Sequence, residues 1–168
     1  MSLLKTLKIW IYNRLRSYRW KKIQLLLNPP PRSLLDIVCQ ELYFYERLKS
    51  TYQVTLADRE PRYDCILKED IQQLSFEDNT FDIVLCQQVL EHVPDPVKAI
   101  KELRRVAAEQ LIITVPYEPF FTLARLGYWE KEHLWAVTPT ALKHYLGEPI
   151  YEKKLIFKRY YLGVWDVG

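Results

Sequence analysis

A chain of 168 residues is long enough for one well-buried core, since a domain of that size hides about 68–70% of the surface its unfolded chain exposes. With 49% hydrophobic and 27% charged residues the composition is globular. No apolar run reaches the roughly 20 residues of a membrane span, and the basic N-terminus lacks the uncharged stretch of a secretory signal, so an intracellular, cytoplasmic setting is expected. The net charge of +3 conceals a division: residues 1–32 hold eight Lys or Arg and no acid, and the rest hold sixteen against 21 Asp or Glu, a net of −5.

From Leu3 to Leu27 apolar residues recur at Leu4, Leu7, Ile11, Leu15 and Tyr18, with Lys5, Lys8, Arg16 and Arg19 on another face. That period predicts a basic amphipathic helix. Pro29, Pro30 and Pro31 end it, because proline lacks an amide donor and biases the residue before it away from helix. Three uses suit such a helix: packing on a sheet, lying at a membrane surface as a peripheral anchor, or contacting another macromolecule. No RNA-binding motif accompanies the charge, which argues against nucleic acid. Residues 1–31 are thus expected to form the helix and a Pro-rich linker, and residues 32–168 an α/β domain.

Ser33 to Val38 and Gln53 to Ala57 are short apolar runs that predict strands, with a helical pattern at Leu42, Tyr45 and Leu48 between them. Asp64 to Leu67 is a third strand candidate. Phe81 to Cys86 is a fourth, with the near-continuous hydrophobicity of a strand buried on both faces. Asp95 before Pro96 is an N-cap with proline at the first helical position, and Val97, Ile100, Leu103 and Val106 mark the buried stripe of the helix that follows. Leu111 to Val115 is the fifth strand, Thr138 and Pro139 open a helix through Leu146, and Tyr151 to Phe157 with Tyr160 to Trp165 predict a closing hairpin. Alternating β and α segments predict a doubly wound, mostly parallel Rossmann-like sheet in three α/β/α layers, with a C-terminal antiparallel hairpin. Cys39, Cys65 and Cys86 are odd in number and lack CxxC spacing. Buried thiols are expected there rather than disulfides, and no metal site is read from the spacing.

Acids fall at successive strand ends: Asp36 in the first, Asp58 after the second and Asp70 after the third. In a nucleotide-binding sheet an acid after the second strand accepts bonds from ribose hydroxyls, and one after the third can accept from an adenine amino group. The stretch Glu69 to Val106, EDIQQLSFEDNTFDIVLCQQVLEHVPDPVKAIKELRRV, resembles the class I S-adenosylmethionine (SAM)-dependent methyltransferases of the type 11 group. Asp70, the LSFEDNTFD segment, the LEHV run at Leu90 to Val93 and the DP-capped helix occur in the family's order and spacing. Fainter likeness extends from SLLDIVC at Ser33 to Cys39 through Asp58, and downstream to HLWAVTPTALKHYL at His133 to Leu146, covering roughly two thirds of the chain.

The resemblance implies methyl transfer from SAM to an acceptor that the sequence does not name, a small molecule or a macromolecule. It implies cofactor contacts at Asp36, Val38, Cys39, Gln40, Asp58, Arg59, Asp70, Ile71 and Gln87, with Asp58 at the ribose, Asp70 and Ile71 at the adenine and the turn after Asp36 at the methionine part. His92, after the fourth strand, and His133, in the downstream segment, are candidate proton acceptors near pH 7. The aromatic segment Tyr117 to Trp135 could lie over the acceptor or belong to the core. Where the family carries DxGxGxG, this chain reads Asp36, Ile37, Val38, Cys39, Gln40, Glu41, Leu42, with no glycine. Glycine serves there for close approach to the ligand and positive φ, tasks unsuited to β-branched Val38. Two readings therefore stay open: a methyltransferase with a rebuilt cofactor loop, and a catalytically inactive pseudoenzyme that keeps the fold as a protein-interaction module.

Overall fold

The computed structural model describes residues 3–37, 42–117, 133–155 and 160–168. In chain order the elements are α1 (Leu3–Gln24), β1 (Ser33–Ile37), α2 (Tyr45–Leu48), β2 (Gln53–Asp58), β3 (Ile66–Lys68), β4 (Phe81–Gln87), α3 (Pro96–Val106), β5 (Ala107–Pro116), α4 (Pro139–Leu146), β6 (Tyr151–Leu155) and β7 (Tyr160–Asp166). The seven strands form one sheet in the order β3-β2-β1-β4-β5-β7-β6. β1 to β5 run parallel, while β7 runs antiparallel to β5 and β6 antiparallel to β7. The strand order reverses between β1 and β4, and in open α/β sheets that switch point opens a crevice beyond the carboxyl ends of the strands.

Alternation along the strands divides the core between two faces. Leu35, Ile37, Val84, Cys86, Leu111 and Ile113 point to the face covered by α3 and α4, joining Ile100, Leu103 and Leu142. Leu34, Ile83, Leu85, Ile112, Leu162 and Val164 point to the other, where Trp20 and Ile23 of α1 and Leu48 of α2 meet them. The result is the three-layer, doubly wound arrangement expected from the order of elements. In β4 the four residues Ile83 to Cys86 are fully buried, as the unbroken apolar run requires of a strand covered on both sides.

Local signals set the helix boundaries. The Asp95 carboxylate accepts from the Lys98 amide at 2.9 Å and Pro96 follows at the first turn. Thr138 Oγ1 accepts from the Ala141 amide at 3.1 Å, with Pro139 next. Both caps are as the sequence predicts. The stripe of α3 is Ala99, Ile100, Leu103 and Val106, and Val97, assigned to it from periodicity, is only half-buried. β5 starts at Ala107, directly after α3 and four residues before the expected Leu111. Its first residues bulge by one against β4, since Phe81 pairs with Ala107 but Ile83 with Gln110.

Helix α1 departs from the sequence reading in its orientation. Tyr18, placed on the apolar stripe, is exposed, whereas Arg19 is buried beside Trp20 and Ile23. Aromatic rings make this workable: the Arg16 guanidinium lies 4.1 Å from the Tyr43 ring centre, Arg19 lies 5.1 Å from that of Tyr160, and Trp20 meets Phe44 edge to face at 5.4 Å. A period of 3.6 locates a stripe but does not distinguish an arginine lying flat on an aromatic ring from one in water. Cys86 is buried as expected, Cys65 is exposed in the turn before β3, and Cys39 lies outside the described residues.

Candidate functional site

The site is assembled from the carboxyl ends of β1, β2 and β4. Register fixes the geometry: Ile37 pairs with Ala57 on one side and Cys86 on the other. The next row outward therefore holds Asp58 of β2 and Gln87 of β4, on either side of the place where the chain leaves β1. With strands spaced 4.7–4.9 Å apart, their backbones stand roughly 10 Å from each other.

Both residues carry a buried acceptor. Asp58 is 4% exposed; its Oδ1 accepts from the Glu60 amide at 2.9 Å, and its Oδ2 is buried with no hydrogen-bond partner among the described residues. Gln87 Oε1 is likewise buried without a partner among the described residues. Leaving a buried acceptor unpaired costs about 1–3 kcal/mol, more for a charged one. Two such atoms on one register row, at the switch point, fit a ligand that brings hydroxyl or amine donors to them.

Asp36, in β1, is almost completely buried, and the loss of hydration pushes its carboxyl up to about 7. Asp70 caps a tight turn after β3: its Oδ1 accepts from the Gln72 amide at 2.9 Å and from Gln72 Nε2 at 3.1 Å. The Gln72 amide holds that carboxyl below the usual range. Gln72 Oε1 also accepts from the Asp95 amide at 2.9 Å, tying the Asp70 turn to the start of α3. Ile71 is buried in the core on the α3 side. Arg59 is exposed, 4.0 Å from Glu60. Val38, Cys39 and Gln40 lie outside the described residues, as does most of the aromatic segment, whose described ends are Tyr117, packed against the core, and Trp135.

At Gln88 the backbone takes φ of +55°, an uncommon value for a residue with a Cβ. Thr114 supports the turn, accepting from the Gln88 amide at 2.9 Å through its carbonyl and from Gln88 Nε2 at 3.2 Å through Oγ1. Beyond this turn Val89, Leu90 and Val93 bury themselves in the core, carrying Glu91 inside at 1% exposed and leaving His92 outside. The Glu91 carbonyl accepts from the Leu134 amide at 2.7 Å and the Trp135 amide at 3.3 Å, while Trp135 Nε1 donates to the Val93 carbonyl at 2.9 Å. These bonds clamp residues 133–135 onto residues 91–93. As a result His92 and His133, 41 positions apart, meet edge to face with ring centres 4.8 Å apart.

The LSFEDNTFD segment has a structural task. Arg105 of α3 donates to both carboxylate oxygens of Glu102 at 2.8 Å, to the carbonyls of Phe76 at 2.7 Å and Leu74 at 3.1 Å, and to Asp78 at 2.9 Å. Glu102 accepts from the Leu74 amide at 2.9 Å. One guanidinium thus fastens the whole loop before β4 to the helix that follows it.

Comparison with known proteins points to the methyltransferases. The family model described as "Methyltransferase domain" matches residues 36–112, the span from Asp36 through most of β5. Residues 36–112, a little under half of the chain, thus resemble a methyltransferase domain. The chain is 25% identical over 178 aligned positions to the tRNA U34 carboxymethyltransferase of Nautilia profundicola, which covers 90% of this chain and 59% of that protein. Among solved structures it resembles the PH0226 protein of Pyrococcus horikoshii, with a TM-score of 0.68 and 20% identity over 92% of this chain and 90% of that one. It also resembles the N-methyltransferase NodS of Bradyrhizobium japonicum in complex with S-adenosyl-L-homocysteine, with a TM-score of 0.59 and 20% identity over 81% and 78% of the two chains. At such identities the structures establish the methyltransferase fold. The aligned parts span only 17% to 59% of the curated relatives' own lengths.

Two residues of the site escaped sequence reading. Glu91 stands between apolar Leu90 and Val93 within LEHV, and an acid in so apolar a setting is a signal for a buried carboxylate. Gln88 offers no comparable signal, because its turn is held by Thr114, a residue of another strand.

Proposed function

We propose that the methyltransferase domain binds SAM across the carboxyl ends of β1, β2 and β4 and transfers its methyl group to an acceptor entering beside His92 and His133. The observation that carries this reading is the pair of buried, unpartnered acceptors, Asp58 Oδ2 and Gln87 Oε1, flanking the exit of β1. Asp58 would accept from ribose hydroxyls, the role that an acid after β2 has in nucleotide-binding sheets. Asp70 keeps acceptor capacity beyond its bonds to Gln72 and stands beside Ile71, which would give the adenine an apolar wall. Arg59, next to Asp58, would stay at the rim. Asp36, buried in the interior at the end of β1, would be drawn toward its charged form by a cationic ligand. Val38, Cys39 and Gln40 would supply backbone contacts to the methionine part.

SAM supplies a methyl group already activated on a sulfonium, so the protein's part is to bind, orient and exclude water. Glu91, His92 and His133 line the acceptor side. A neutral imidazole there can accept the proton that a hydroxyl or amine acceptor sheds. The tRNA acceptor of the carboxymethyltransferase relative belongs to that protein, and the acceptor here is defined only by its approach to the two histidines.

The glycine-free sequence from Asp36 to Leu42 favours a second reading, in which the fold persists as an interaction module without cofactor. Its contact surface would include the outward face of α1, where Trp10 and Tyr18 are exposed, toward a protein or a membrane surface. Thermal-shift titration with SAM and S-adenosylhomocysteine separates the two. Binding to the native state must raise the melting temperature, and the shift should vanish in Asp58→Ala and shrink in Asp70→Ala. No shift at millimolar ligand would favour the interaction module instead.

A further inference from the structure

Apart from the cofactor cleft, Glu91, His92 and His133 form a second chemical centre. One ligand atom from each, a carboxylate oxygen and two imidazole nitrogens, lies within 4.8 Å of the other two. Glu91 Oε1 stands 3.9 Å from His92 Nε2. We propose that these three side chains bind one divalent transition-metal ion at the mouth of the acceptor side.

The donor set supports this. Two imidazoles and one carboxylate with open positions form the ligand set of catalytic zinc sites and of the facial arrangement that holds iron(II). Metal–ligand bonds of 2.0–2.2 Å place the donors of a tetrahedral ion about 3.3 Å apart. The donors stand somewhat wider than that, and the His92 side chain, 38% accessible, is the ligand with solvent on one side into which to adjust. The backbone is already braced, because the Leu134, Trp135 and Trp135 Nε1 bonds hold the two ligand segments together. Glu91 adds a carboxylate fixed in the interior, and a buried charge is stabilised by a cation beside it. Sequence spacing concealed the set, since two ligands are adjacent and the third is 41 residues away.

An ion held here would keep open positions facing solvent and the acceptor path. It would bind an acceptor through oxygen and favour its deprotonated form, taking over the proton-accepting role of a free imidazole. The acceptor class would then be a hydroxyl or carboxylate compound. Ion binding itself needs no SAM; only its placement at the acceptor mouth rests on the proposed function.

Titration of the full chain with Co2+ alone, without SAM, tests the site through the visible absorption of the bound ion. One equivalent should bind with a saturable spectrum, displaced by Zn2+. Glu91→Gln, His92→Ala and His133→Ala should each weaken it at least about tenfold, while His144→Ala and Cys65→Ser leave it unchanged. Melting curves without metal show whether each variant is folded, and if Glu91→Gln is not, the half-buried His133 carries the test. A missing saturable spectrum, or affinity in His133→Ala within twofold of the original chain, overturns the proposal. Because SAM is absent, failure here leaves cofactor binding to be decided by its own titration.

Discussion

The two ends of the parallel sheet treat polar groups in opposite ways. At the amino end they are closed on one another: Asp82 Oδ2 accepts from the Ser33 amide at 2.7 Å and hydroxyl at 2.9 Å, and Ser33 Oγ accepts in turn from the Asp82 amide at 3.0 Å. Gln110 accepts from the Asn28 amide at 3.0 Å and donates to the Leu26 carbonyl at 2.8 Å, while Arg32 pairs with Glu109 at 2.9 Å. At the carboxyl end Asp58 and Gln87 keep buried acceptors without partners among the described residues, and Asp36 is buried deeply enough for its proton to be held toward neutrality. Satisfied networks stabilise a fold, and groups left open in a cleft lower its stability until a ligand completes them. Stability and binding should therefore respond to substitution at different ends of the same strands.

The largest effect should come from Asp36 and depends on pH. Its folded carboxyl titrates near 7, against an ordinary value of 3.8. Below about pH 4 both folded and unfolded states hold the proton; as pH rises the unfolded chain releases it first, so stability falls until the folded group also ionises. The loss is on the order of 4 kcal/mol between pH 4 and 7. Denaturant melts of Asp36→Asn should lack that decline, and an identical pH profile in the variant would place the open end of the sheet elsewhere.

Next is Arg105. Replacing it with alanine frees Glu102 and the Leu74 and Phe76 carbonyls together, which should lower unfolding stability by about 3 kcal/mol. If SAM binds, its affinity should change less than about threefold, and a large loss would show that the loop before β4 shapes the cleft as well as closing the fold. Asp58→Ala should do the reverse. Removing an acceptor bonded to a charged or hydroxyl-rich ligand should weaken SAM binding by roughly 30–100-fold, as expected for about 2–3 kcal/mol. Its stability without ligand should fall only by about 1 kcal/mol, the cost of the lost Glu60 amide bond, because Oδ2 has no partner among the described residues to lose.

The smallest effect tests the antiparallel side, away from both ends. A Cβ at Gly163 would run into the ring of Trp165, which is buried and whose indole N–H donates to the Gly147 carbonyl at 2.9 Å. Gly163→Ala should cost about 1–3 kcal/mol through overpacking. No change on thermal melting would mean that β7 moves aside to admit it.

Much of this was legible in the chain itself. The caps at Asp95 and Thr138, the doubly buried β4, the β/α alternation and the closing hairpin follow from local chemistry and period, and each has a distinct signature. Burial of Arg19 was not legible, since it depends on Tyr160, a residue of another element far along the chain. Neither was the meeting of His92 with His133, which the Leu134 and Trp135 amides bring about from a segment without a period of its own. Sequence placed Asp58 and Gln87 near the pocket, whereas that one oxygen on each has no partner is a property of three strands in register.

Calorimetric titration of SAM into the original chain and into Asp58→Ala puts the open end of the sheet to its most direct test. The expected result is one molecule bound per chain, with affinity falling at least about 30-fold in the variant while the fold stays intact. Binding of equal strength in both proteins, or no heat at millimolar SAM, would contradict it.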